Sequence, residues 1–266
     1  MNTVRENFQV WRAVTDAFAY CWQRRRLMER YGIIPLILGL GVAWTLLYFR
    51  VSPDERTVAR FSGDFLAFLI AIPPAVAWYR TIVYGEEAGR RPIYAFTRLE
   101  VRMVLWQILF VFPLFIAVLV AAIPVVAAGA VGKMLGGDIG AYALATPFGI
   151  AALAWVFYVV TRLSLVIAMA ALETRASFER AWKMSAPIAW RLTGAVFVMI
   201  LGLIPMGLVG IGIEKLFEPH AAAPYVGAAI DAVTGLIGLF LLSTLFGQTY
   251  KTLAETETPP AEPAAL

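Results

Sequence analysis

Asp231 interrupts an otherwise uncharged run from Ala223 to Tyr250. Counted from Ala223 at about 1.5 Å per residue, it lies about 12 Å along a helix. Gly227, Gly235 and Gly238 fall on the same helical face, and small residues let helices approach closely. Asp231 is therefore expected to face protein. An acid at that depth is costly and is a functional-site hypothesis by default. The other readings are a structural pair with Lys215 or Arg60, or a protonated carboxyl.

The remaining candidates are mostly basic. Arg24, Arg25 and Arg26 are consecutive and suited to anionic lipid headgroups, each contact being worth about 1 kcal/mol near a membrane surface. Arg162 ends the uncharged run that starts at Ile139 and is expected to snorkel to the cytoplasmic interface, within reach of lipid headgroups; the other reading is a pair with Glu173 or a lipid phosphate. Asp64 follows Ser62 and Gly63 and is expected to sit at a helix start, facing the dipole. The chain has one cysteine, Cys21, and one histidine, His220. These exclude an internal disulfide and a cysteine-built metal site. No phosphate-binding glycine loop, HExxH or nucleophile elbow is present. The expectation is therefore a non-enzyme with no catalytic constellation, cofactor or metal.

The elements that must position these residues are apolar. Of 266 residues, 61% are hydrophobic and 15% charged, against about 45–50% and about 25% in soluble domains. A water-facing globule of this length cannot hide so much apolar surface. A helix needs about 20 apolar residues to cross a bilayer, and six uncharged or nearly uncharged runs meet that need. They are Tyr31 to Phe49, Phe61 to Tyr84, Met103 to Gly132, Ile139 to Thr161, Leu192 to Ile213 and Ala223 to Tyr250. The third contains Pro113 and Pro124, which predict a bend. Its glycine-rich end, with Lys133, Gly136 and Gly137, is expected to leave the bilayer as a loop, with a re-entrant segment as the alternative. The predicted fold is an all-α integral membrane bundle of six transmembrane helices with cytoplasmic amphipathic segments. Residues 1–30 form an interfacial segment, 31–250 the membrane domain, and 251–266 a disordered cytoplasmic tail.

Direction follows from lysine and arginine placement. With six crossings, seventeen of the 22 basic residues fall on the side of the termini and five on the other, so both termini are expected in the cytoplasm of a bacterial inner-membrane protein. Phe8, Trp11, Val14, Phe18, Cys21 and Trp22 recur at helical spacing among arginines. That pattern fits a helix lying in the headgroup layer or one packed beneath the bundle. Basic, tryptophan-containing segments also precede the third and fifth runs, around Trp106 and around Trp182 and Trp190. They are compatible with a threefold repeat of surface segment plus hairpin, or with the aromatic belt alone. The basic charge is spread as a topology signal rather than a stripe, so nucleic acid is not an expected partner.

Arg162-Leu163-Ser164-Leu165, then Glu173, Ala181 and Ser185, then Trp190-Arg191-Leu192, resembles a loose bacterial group. That group contains YciC-like inner-membrane proteins and the membrane domain attached to some glycerophosphoryl diester phosphodiesterases. The proline usual after the arginine is replaced here by Ala168-Met169-Ala170. The resemblance implies a multipass protein and supplies no catalytic residues. The expected role is to organise lipid, or to bind an unknown membrane-protein partner, at a bilayer rich in anionic headgroups. The alternative is a small transporter or permease subunit using Asp231.

Overall fold

Long apolar runs satisfy their backbone groups internally only as helices, and that is what the chain forms. The computed structural model describes residues 8–48, 53–89, 97–172, 175–217 and 223–257. Its helices are α1 (Val10–Gln23), α2 (Arg25–Tyr48), α3 (Pro53–Tyr84), α4 (Glu86–Gly89), α5 (Arg98–Leu163), α6 (Leu165–Ala171), α7 (Phe178–Ser185), α8 (Ala189–Phe217) and α9 (Ala223–Glu257). No strand occurs among the described residues. Four stretches among them are long and apolar enough to cross a membrane: Leu66–Tyr84, Arg98–Ala171, Phe178–Phe217 and Tyr225–Thr256.

Local chemistry sets where α5 begins and turns. Thr97 accepts the Leu99 N–H at 3.3 Å, and Glu100 accepts the Thr97 N–H at 2.8 Å, which forms a capping box. Gly136 and Gly137 leave the helical region, Gly137 with φ of 62°, a conformation that favours glycine. α5 is thus a hairpin with arms 98–135 and 138–163. A Cβ on Gly132 would lie 2.2 Å from the Gly140 carbonyl oxygen, so only glycine lets the arms meet near the turn. Lys133 and Asp138 pair across it at 3.9 Å, both exposed. The expected loop is therefore a tight turn, because helix persists to within a residue of it on both sides.

Cross-contacts give the helix directions. α2 runs antiparallel to α9: a Cβ on Gly32 would meet Leu236, and the Trp44 indole N–H donates to the Tyr225 carbonyl at 3.3 Å. α3 runs with α9, as Trp78 meets Thr244 and Ile82 packs at Gly247. α8 is antiparallel to α9, with Leu203 at Gly238 and Ile230 at Gly210. α1 lies alongside the same pair. Val10 packs at Gly194 and Phe18 at Gly202 on α8, while Cys21 touches Thr244 on α9. The eight-residue steps match, so α1 runs along α8 and not across the end of the bundle. This packing makes α1 a helix of the bundle, held against α8 and α9. Val14, Ala17 and Cys21 form a narrow buried seam, while Trp11, Phe18 and Trp22 are exposed. The apolar face inferred from spacing is really two stripes.

The buried core is concentrated at one end. It combines α1, Tyr31 of α2, the second half of α3, the base of α5, nearly all of α6, Ala181 and Met184 of α7, the start of α8 and the end of α9. The α5 hairpin beyond that base, the later part of α8 and Val233 of α9 leave apolar side chains uncovered. Two boundaries differ from expectation. α3 starts at Pro53, so Asp64 lies well inside a helix and not at its start. α9 continues to Glu257, seven residues beyond Tyr250, where the tail was expected to begin.

Candidate functional site

The packed end holds the most elaborate polar chemistry, and Arg162 is at its centre. It sits in the last turn of the second α5 arm, one turn after Tyr158. Its Nε donates to Ser185 Oγ at 3.0 Å and its Nη1 to the Tyr158 hydroxyl at 3.1 Å. Nη2 donates to the Trp182 carbonyl. The guanidinium also stacks over the Trp182 ring, 3.6 Å from its centroid, and lies 5.5 Å from that of Tyr158. Arg162 is only 5% exposed. The expectation that it snorkels to a lipid phosphate is therefore corrected: the side chain turns inward and ties the hairpin to α7. The physical reason is that a planar, weakly hydrated guanidinium stacks well on an aromatic face, and α7 offers acceptors within reach. Among the described residues no carboxylate pairs with it; Glu173 lies outside them.

Arg102 plays a related part from the first arm. Its Nε and Nη2 donate to the Ala170 and Met169 carbonyls, both at 3.1 Å. Those carbonyls end α6, whose residues from Leu165 to Ala171 are almost wholly buried. Helix-terminal carbonyls have no intrahelical partner, and a cation there also complements the helix dipole. Tyr84 adds a third link by donating to the Leu172 carbonyl at 3.0 Å.

A second polar cluster lies between α1, α3 and α9. Thr244 accepts the Trp78 indole N–H at 2.8 Å and donates to the Phe240 carbonyl at 2.7 Å, while Cys21 Sγ lies 3.3 Å away. Trp78 also meets Tyr20, Tyr31 and Phe240 edge to face. Burial pushes the Cys21 thiol above its usual range, and the Thr244 hydrogen bond opposes that shift. Burial likewise raises Tyr20, against the pull of the Arg24 charge. Nearby, Arg12, Asp16, Gln248, Thr249 and Thr252 line a cavity of about 380 Å³ between α1 and the end of α9.

Comparison with protein-family models, curated proteins and solved structures finds no match to the chain.

The three consecutive arginines separate in role. Arg24 ends α1, stacks 4.3 Å from the Tyr20 ring centroid and lies 3.4 Å from Glu86. Arg25 lies 5.4 Å from the Trp22 ring centroid, and both Arg25 and Arg26 are exposed. No hydrogen bond or ion pair among the described residues joins this group to Arg162. Asp231 also stands apart. It is exposed on α9 and forms no ion pair with Lys215 among the described residues; the Arg60 side chain lies outside them. A Cβ on neighbouring Gly235 would meet nothing within 4 Å. The expectation that Asp231 faces protein is corrected. At this depth the close approach uses Ile230 against Gly210 of α8, so the small residue is on the partner helix. His220 lies outside the described residues. Among those described, no three His, Cys, Asp or Glu side chains gather to hold a metal ion.

Sequence reasoning missed Ser185 as a partner of Arg162, and missed Trp78 and Thr244 as a second, separate polar cluster. Ser185 carried a signal, since it stands in the resemblance motif. Thr244 carried none: a threonine in an apolar helix looks the same whether it back-bonds alone or accepts from a tryptophan.

Proposed function

We propose that the chain is a bacterial inner-membrane protein that crosses the bilayer six times with both termini cytoplasmic, and that its basic end organises anionic lipid. It acts without catalysis, and a membrane-protein partner could engage the same end. The observation that carries this reading is the coincidence of packed core, buried polar groups and arginines at one end, with uncovered apolar surface at the other. In water, apolar faces must bury one another; in hydrocarbon that drive is absent. Dense packing toward the basic end, and loose packing where lipid bathes the helices, are what immersion in a bilayer would produce. The six-span count is supported by the turn at Gly136 and Gly137, which divides α5 into two apolar arms, and by α2, which carries the uncharged run from Tyr31. Trp11, Phe18 and Trp22 stand exposed beside Arg12, Arg25 and Arg26, the pairing of aromatic and basic side chains that suits an interface.

The resemblance to YciC-like proteins and the phosphodiesterase membrane domain belongs to the same proposal. Support for it comes from two of its motif residues, Arg162 and Ser185, which hydrogen-bond directly, with Ala181 buried on the same short helix. A transporter working through Asp231 has less support, because that carboxylate lies on the outer surface of the bundle.

The test is native mass spectrometry of the detergent-released protein with anionic or zwitterionic phospholipid. Preferential retention of the anionic lipid is expected, weakened when Arg24, Arg25 and Arg26 are changed together to glutamine. Equal retention of both headgroups, or an unaffected triple variant, would overturn the proposal.

A further inference from the structure

Away from the packed end, α2, α8 and α9 enclose a cleft of about 670 Å³. That volume falls within the range of about 300–1,000 Å³ typical of ligand sites. Its walls are apolar, formed by Pro205, Val209 and Ile213 of α8 against Val226, Ala229 and Val233 of α9. Trp44 and Tyr225 line one end, their rings meeting edge to face at 6.1 Å while the indole N–H is spent on the Tyr225 carbonyl. Ile230 seats at Gly210 on the cleft wall, so α8 and α9 touch there while the neighbouring space stays open.

We propose that this cleft holds an acyl chain of a phospholipid from the leaflet opposite the basic end. Two observations favour that occupant. The walls belong to two of the stretches long and apolar enough to cross a membrane, so the medium facing them is hydrocarbon, and a cleft of this size is filled by what bathes it. The Trp44–Tyr225 pair has the amphipathic character of interfacial aromatics, which places the cleft mouth at headgroup level. The inference rests on the membrane reading and is independent of the headgroup preference of the arginines.

The experiment is native mass spectrometry of the full chain, released in mild detergent from phosphatidylcholine vesicles. Wild type should retain a phospholipid that Ala229→Phe loses, because the ring fills the cleft. Leu208→Phe, on an exposed α8 position, should retain it. Val233→Phe fills the cleft from its half-exposed edge and serves if Ala229→Phe does not fold. Unchanged retention in both cleft variants overturns the proposal, as does equal loss in Leu208→Phe. A wild-type dimer that Ala229→Phe converts to monomer also overturns it, since a second copy would then be the occupant. Headgroup preference should survive Ala229→Phe, which separates this outcome from failure of the basic site.

Discussion

A buried cation without an acid beside it must gain its stabilisation from stacking and neutral acceptors, and Arg162 shows how few groups suffice. Stacking of a desolvated cation on an aromatic ring is worth about 2 kcal/mol, and hydrogen bonds to a charged group about 1.5–3 kcal/mol each. Arg162→Met is expected to lower unfolding stability by about 3 kcal/mol, measured by chemical unfolding in detergent. Arg162→Lys should recover only part, because an ammonium cannot present the planar fork that reaches Ser185, Tyr158 and Trp182 together. Full rescue by lysine would mean that charge alone matters. Thr244→Val keeps the shape of the second cluster but leaves the Trp78 N–H without its acceptor, at an expected cost of about 1–3 kcal/mol. It should also speed alkylation of Cys21, whose burial and raised pKa otherwise keep the thiol protonated and slow to react. An alkylation rate unchanged from wild type would show that Thr244 does not hold α1 in place.

Among the elements, the α5 hairpin and α1 respond to substitution in different ways. The hairpin depends on backbone approach near its turn. Gly132→Ala places a Cβ against the Gly140 carbonyl, which forces the arms apart at roughly 1–3 kcal/mol. Gly149→Ala, where an added Cβ meets nothing within 4 Å, should be neutral or slightly stabilising. Protease access at the turn would distinguish the two, rising only for Gly132→Ala. α1 depends on a seam of small side chains. Ala17→Asp inserts a carboxylate into a fully buried position and should detach the helix, exposing Cys21 to a polar maleimide. Helical spacing located α1 within the first thirty residues, but not which of its two apolar stripes packs. Both repeat at three and four residues, and only distant contacts, such as that of Cys21 with Thr244 of α9, select the Val14–Cys21 stripe.

For the whole molecule, the uneven distribution of packing implies uneven stability. The arginine-rich end should resist hydrogen exchange through its layered core, while helix ends beyond it should exchange faster once lipid is stripped away. Reporter fusions after Glu257 and at Gly137 should be active on opposite sides of the membrane. Activity on the same side would remove the hairpin from the bilayer-crossing count.

The sequence by itself determined that the chain is helical and too apolar for water, and it placed the hairpin turn near Gly136 and Gly137. Those properties are additive over neighbouring residues: hydropathy, charge spacing and glycine content. It did not determine where Asp231 and Arg162 point. Both are ionisable residues at the end of, or within, an apolar run, and local spacing treats them alike. Tertiary structure decided the matter through partners distant in the chain. Ser185 and Trp182 lie about twenty residues from Arg162 and give its charge an interior home, whereas the helix neighbours of Asp231 pack through Ile230 and leave the carboxylate outside.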